Sequence, residues 1–150
     1  MQTNTFNNFY RQVIVIFYAI MTGHVLFASV VVFFLQSGFA NVGEQENLFL
    51  YVSIAISVLG VSSAYTLFRL KTNTINPEDA PDIKLSAWRT AFILKLALLE
   101  MPCLLNIIFY LLTNNKLYLY IYVLLAIIML INKPARYAIA DAVHMDDEVK

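Results

Sequence analysis

Charge is scarce in this chain: Asp, Glu, Lys and Arg together make up 13% of its 150 residues, about half the share usual for a soluble domain. That shortage excludes an ordinary water-soluble globule. A domain this small has too little interior to hide a composition that is 60% hydrophobic. The ten basic and ten acidic residues cancel, so no basic field draws in nucleic acid and no nucleic-acid partner is expected. The single cysteine, Cys103, excludes an intrachain disulfide and a multi-cysteine metal cluster. His24 and His144 lie far apart with no ligand spacing such as HExxH, so no resident metal is expected. The four glycines, Gly23, Gly38, Gly43 and Gly60, form no phosphate-cradling loop, and no cofactor is expected. No nucleophile–base pair is visible either, which points away from an enzyme.

What the chain does have is apolar length, with a mean hydropathy of +0.69. A bilayer core of about 30 Å needs roughly 20 helical residues. Residues 13–35, 48–68 and 91–112 satisfy this, and 115–132 does so by borrowing a turn at each end of a shorter run before Pro134 breaks it. The expected fold is an all-α, polytopic membrane protein: one domain of four transmembrane helices arranged as two helical hairpins. Gly38-Phe39-Ala40 resembles a small-x-small cleavage site. The apolar run before it is longer than the roughly 7–15 residues of a signal peptide, so a retained span is expected.

Lys and Arg set the expected orientation. Arg11 precedes the first span, and Arg69, Lys71, Lys84 and Arg89 lie between the second and third. Lys133 and Arg136 follow the fourth, whereas the first loop carries Glu44 and Glu46 without a basic residue. Positive-inside counting places both termini and the central loop in the cytoplasm, with the chain multi-pass in the cytoplasmic (inner) membrane. The central loop, 71–86, holds Asn76-Pro77, Ala80-Pro81, Glu78, Asp79 and Asp82 and reads as a soluble hinge. Trp88 and Arg89 then read as interface anchors. In the cytoplasmic tail, 134–150, residues 135–143 suit a surface helix before the acidic Asp146-Asp147-Glu148.

The two hairpins also match each other. Ala19-Ile20-Met21-Thr22 aligns with Ala97-Leu98-Leu99-Glu100, and Leu48-Phe49-Leu50-Tyr51 with Leu117-Tyr118-Leu119-Tyr120. A duplication would make parallel repeats, with Thr22 equivalent to Glu100 and His24 opposite Pro102.

Glu100 is the main candidate site. An ionisable group inside a span is costly unless paired, neutralised or hydrated, and by default marks function. Pro102 kinks the helix and leaves the Leu98 carbonyl without its usual donor. Asn106 adds a polar group on a different face. His24 lies at a similar depth in the first span, so a His24–Glu100 contact is expected to offset the burial of both. Lys95 points elsewhere and is expected to snorkel to the interface. Ser53, Ser57, Gly60 and Ala64 form a small-residue stripe that admits a close helix, within the chain or from a second copy. Ala19 and Gly23 form a shorter notch. Tyr118, Tyr120 and Tyr122 read as an aromatic belt, and Cys103 as a small apolar packing residue.

The run Lys95-Leu96-Ala97-Leu98-Leu99-Glu100-Met101-Pro102 resembles the carboxylate helix of rotary-ATPase proteolipid c subunits, a likeness that implies ion carriage by Glu100. The chain departs from that pattern by carrying the carboxylate in the third span, lacking Gly-x-Gly repeats in the first, and placing its termini on the opposite side. Small multidrug-resistance exporters share four helices and one intramembrane Glu, but theirs is in the first span. Tyr18…Gly23-His24…Phe27 together with Ala97-Leu98-Leu99-Glu100…Pro102 looks like a group of uncharacterised small four-helix bacterial membrane proteins, a resemblance that implies no function.

The sequence thus leads to a small integral membrane protein, a non-catalytic subunit or scaffold of a larger membrane complex. Its partners would be the bilayer and another membrane protein or a second copy. The alternative is a proton-coupled small transporter or ion-conducting element built on Glu100 and His24.

Overall fold

The computed structural model describes residues 2–34 and 46–145, and every regular element among them is a helix. In chain order these are α1 (Gln2–Phe34), α2 (Glu46–Asn73), α3 (Pro81–Thr113), α4 (Lys116–Ile131) and α5 (Arg136–Ala142). The first three are long and apolar enough to cross a membrane. α4 and α5 qualify as a fourth span only as a pair, bent by 70° at their break. Glu44, the Gly38-Phe39-Ala40 site and the acidic tail at 146–148 lie outside the described residues.

The helices run further than the apolar stretches alone suggest. In α1 a buried stripe of Phe6, Phe9, Val13, Phe17, Met21, His24, Ala28 and Val31 recurs every three or four residues. It extends into the polar N-terminal segment and keeps that segment helical. α3 likewise begins within the expected hinge. Pro81, with its preset φ, opens the helix, and Asp82 complements the dipole in the first turn. The hinge expected over 71–86 therefore shrinks to 74–80. Here Asn76 accepts a hydrogen bond from the Glu78 N–H at 3.1 Å, and the Lys84 ammonium donates to the Pro77 carbonyl at 3.4 Å.

α3 and α4 form a tight hairpin. Asn114 takes the left-handed conformation (φ 56°) that Asn tolerates at a helix C-terminus, and its N–H donates to the Tyr110 carbonyl. Asn115 then caps α4 by accepting from the Leu117 N–H at 2.9 Å. At the far end α4 stops at Asn132, and after Pro134 the chain resumes as α5, as the sequence suggests.

α3 is the hub. Half of its most apolar stretch is buried, against 28% for α1 and 17% for α2. α1, α2 and α4 each pack on it, whereas α1 and α2 scarcely touch. The expected first hairpin is therefore not a packed unit among the described residues. α1 and α2 lie against a common neighbour instead of each other, because their most complementary surfaces face α3.

One end of the bundle is held by aromatic rings and hydrogen bonds between helices. Trp88 stacks on Phe92 with centroids 5.0 Å apart and meets Phe9 and Phe68 edge-on at 6.2 and 6.0 Å. At 3% exposure it is a core residue of this end, not the interface anchor expected from sequence. Arg89 donates to Gln12, and Arg136 of α5 donates to Asn7, with its guanidinium also lying over Phe6 and Tyr10. Asn132 donates to the Tyr65 hydroxyl at 2.6 Å. Arg89, Lys95, Lys133 and Arg136 therefore gather at this end.

Candidate functional site

The polar residues inside the bundle fall on three sides of α3. On the α2 side, Asn106 is fully buried between two serines. Its Oδ1 accepts from the Ser53 hydroxyl at 2.6 Å, while its Nδ2 donates to the Ser57 hydroxyl at 3.2 Å and to the Pro102 carbonyl at 2.8 Å. One turn away, α2 crosses the proline kink at Gly60. A Cβ placed there would lie 3.1 Å from both the Leu98 carbonyl oxygen and Pro102 Cγ. The carbonyl that Pro102 deprives of a donor is thus covered by glycine backbone. Ser53, Ser57, Gly60 and Ala64 are the face on which α2 lies against α3, which makes the stripe an intramolecular seam.

Substituting Asn106→Leu is expected to lower stability in detergent by about 1 kcal/mol, the order measured for interhelical hydrogen bonds in membrane proteins. Adding Ser53→Ala and Ser57→Ala in that background should cost almost nothing more. Thermal denaturation of the single and combined variants checks this.

On the side shared with α1 and α4 lies a second group. His24 is 1% exposed and packs edge-on against Tyr122, with ring centroids 5.9 Å apart. Neither ring nitrogen meets hydrogen-bond geometry; the Ile20 carbonyl one turn back lies near the ring without completing a bond. Cys103 is fully buried with its sulfur 4.0 Å from that of Met129, in keeping with a packing role. Tyr118 and Tyr122 are buried in this layer, and only Tyr120 of the three faces outward. The expected aromatic belt is therefore mostly bundle core, because residues 118 and 122 fall on the α4 stripe that continues to Leu125 and Met129.

Glu100 sits at the rim of this layer. Its carboxyl lies near His24 and Cys103. No hydrogen bond or ion pair joins it to His24, whose two nitrogens are unpartnered. The contact expected from their similar depth is not made: α1 turns His24 inward toward Tyr122, while the α3 register carries Glu100 to the helix edge. There the carboxyl is half-buried in a shallow outward groove of about 330 Å³, lined by Ala97, Met101, Leu104, Leu105 and Ile108. Met101 is 62% exposed. Glu100 thus faces the surroundings of the bundle more than its interior.

Thr22, Gly23 and Ala19 lie on the outward face of α1, and a Cβ on Gly23 would meet nothing within 4 Å. The structure brings together Asn106, Ser53, Ser57, Gly60 and Pro102, places His24 near Glu100 without joining them, and leaves Thr22 and Gly23 apart. Among the described residues no group of three or more His, Cys, Asp or Glu side chains is close enough to hold a metal ion.

Lys95 corrects another expectation. It is buried between helices instead of lying free along the bundle surface. It is 9% exposed, with its ammonium over the Tyr65 and Phe68 rings at 4.5 and 4.6 Å. The signal in the sequence was Tyr65 and Phe68, three apart on α2 and so on one face beside the lysine helix.

Comparison of the chain with protein-family profiles, curated protein sequences and solved structures yields no match.

Proposed function

We propose that this chain is a small, non-catalytic subunit of a larger membrane complex, docking through the α3 groove beside Glu100. We read it as a four-span protein of the cytoplasmic membrane, with α4 as a short fourth span and α5 as the surface helix that follows it across the 70° bend. Both termini and the basic end are cytoplasmic by the positive-inside rule. The observation that carries the proposal is the outward placement of Glu100, half-buried among apolar side chains with no hydrogen-bonding or ionic partner in the described chain. A carboxyl in that position costs free energy against lipid tails. A neighbouring membrane protein would remove the cost by laying a helix along Ala97, Met101, Leu104 and Ile108 with a basic, hydroxyl or amide group opposite Glu100. The small Ala97 admits close approach.

The second reading, a proton-coupled transporter or ion-conducting element, is favoured by His24. Its buried nitrogens make no hydrogen bond that meets full geometry, which gives the bundle interior a proton-bearing group near Glu100.

Two variants separate the readings. For a subunit, Glu100→Gln keeps hydrogen bonding and should retain the partner through gentle extraction, whereas Glu100→Leu should lose it by about tenfold. Neither variant should alter proton leak in liposomes. A transporter would show pH-dependent flux on its own, and Glu100→Gln would abolish it. Equal partner recovery from both variants and the parent chain would overturn the docking proposal.

A further inference from the structure

The basic end of the bundle encloses a cavity of about 240 Å³ where α2, α3 and α4 meet α5, lined among others by Phe68, Trp88, Lys95, Lys133 and Tyr137. Its innermost polar group is a donor without a matching acceptor. The Lys95 ammonium, nine-tenths buried between the Tyr65 and Phe68 rings, makes no hydrogen bond or ion pair among the described residues. The Trp88 ring forms part of the wall. Lys133 stands exposed at the lip, its ammonium 5.4 Å from the centre of the Tyr18 ring. The wall is also pre-formed: Asn132, at the bend between α4 and α5, holds the Tyr65 hydroxyl at 2.6 Å and so fixes one ring of the lysine cage.

A lysine buried beside aromatic faces gains a cation–π attraction, but that leaves its three N–H donors unsatisfied, and an ammonium in such a site is costly without an anion. A tetrahedral oxyanion meets the need. It accepts several hydrogen bonds at once and supplies charge opposite two lysines. We propose that this cavity binds a phosphate group, with Lys95 as its inner ligand and Lys133 turning from Tyr18 to close the lip.

A membrane phospholipid is the source the surroundings favour. The mouth is flanked by Ile131 and Tyr137, 77% and 75% exposed, so acyl chains attached to the phosphate would lie along an apolar flank at the level expected of headgroups. The inference requires only that the chain lies in a bilayer, and it stands or falls separately from docking at Glu100.

The test is native mass spectrometry of the full chain in detergent, titrated separately with phosphatidylglycerol, with diacylglycerol (the same chains without phosphate) and with inorganic phosphate. Phosphatidylglycerol should bind at one copy per chain, and Lys95→Met should weaken it by about tenfold or more. Lys95→Arg should retain most of the binding, which guards against a folding defect. Lys116→Met, at the opposite end of the bundle, should have no effect. If inorganic phosphate alone binds and competes with the lipid, the phosphate site stands with a soluble anion as its source. Binding of diacylglycerol equal to that of phosphatidylglycerol, or indifference to Lys95→Met, would overturn the proposal.

Discussion

Replacing Trp88 with alanine is expected to destabilise the bundle by about 3–5 kcal/mol, the cost of truncating a large buried aromatic. Trp88 joins three helices, meeting Phe9 of α1, Phe68 of α2 and Phe92 of α3. Truncation leaves a void where those rings converge. Aromatic pairs each add about 0.5–1.5 kcal/mol beyond buried area, so losing three contacts together should loosen all three helices at this end. Trp88→Phe should recover most of the loss, and Tyr137→Ala, at a side chain 75% exposed, should change stability by less than about 0.5 kcal/mol. Thermal melting followed by circular dichroism measures all three, since Trp88 is the only tryptophan and fluorescence would vanish with it. Equal melting of Trp88→Ala and the parent chain would refute the aromatic end as a structural clamp.

The second large effect is expected at Gly60. A branched side chain there would press on the Leu98 carbonyl and the Pro102 ring, both 3.1 Å from the first added carbon. Neither can rotate away. Gly60→Val should therefore push α2 off the kink and cost about 1–3 kcal/mol through overpacking. The displacement would also stretch the hydrogen bonds from Ser53 and Ser57 to Asn106, which share the seam. Gly23→Ala is the control. With open space around its added carbon, it should be neutral or stabilising by up to about 1 kcal/mol through helix propensity. Identical melting of the two glycine variants would mean that α2 does not close on the proline as described.

How much of this could be read in the sequence varied with the kind of signal. Apolar length predicted the long helices, and Pro134 predicted the bend before α5. The stripe from Phe6 to Val31 has helical spacing and includes His24, but a reading by apolar length starts the first span at Val13 and leaves the inward orientation of the histidine unread. Depth along a span, in contrast, does not fix azimuth. His24 and Glu100 sit at similar levels yet point to different places, because their register around each helix decides who meets whom. The small-residue stripe on α2 named a packing face, but its match to Pro102 and Asn106 depended on the crossing of two helices far apart in sequence. The surroundings of Lys95 were hidden for the same reason: only the arrival of Tyr65 and Phe68 from α2 offers it a cage. The central role of α3 was not legible, since all the spans have similar hydropathy and differ in what they face.

The most direct test of the docking account is native mass spectrometry of the protein released gently from its own membrane at natural abundance. The account predicts a stoichiometric assembly with a different membrane protein, retained in Glu100→Gln and lost in Glu100→Leu. Release of the chain alone, or only with copies of itself, would contradict it.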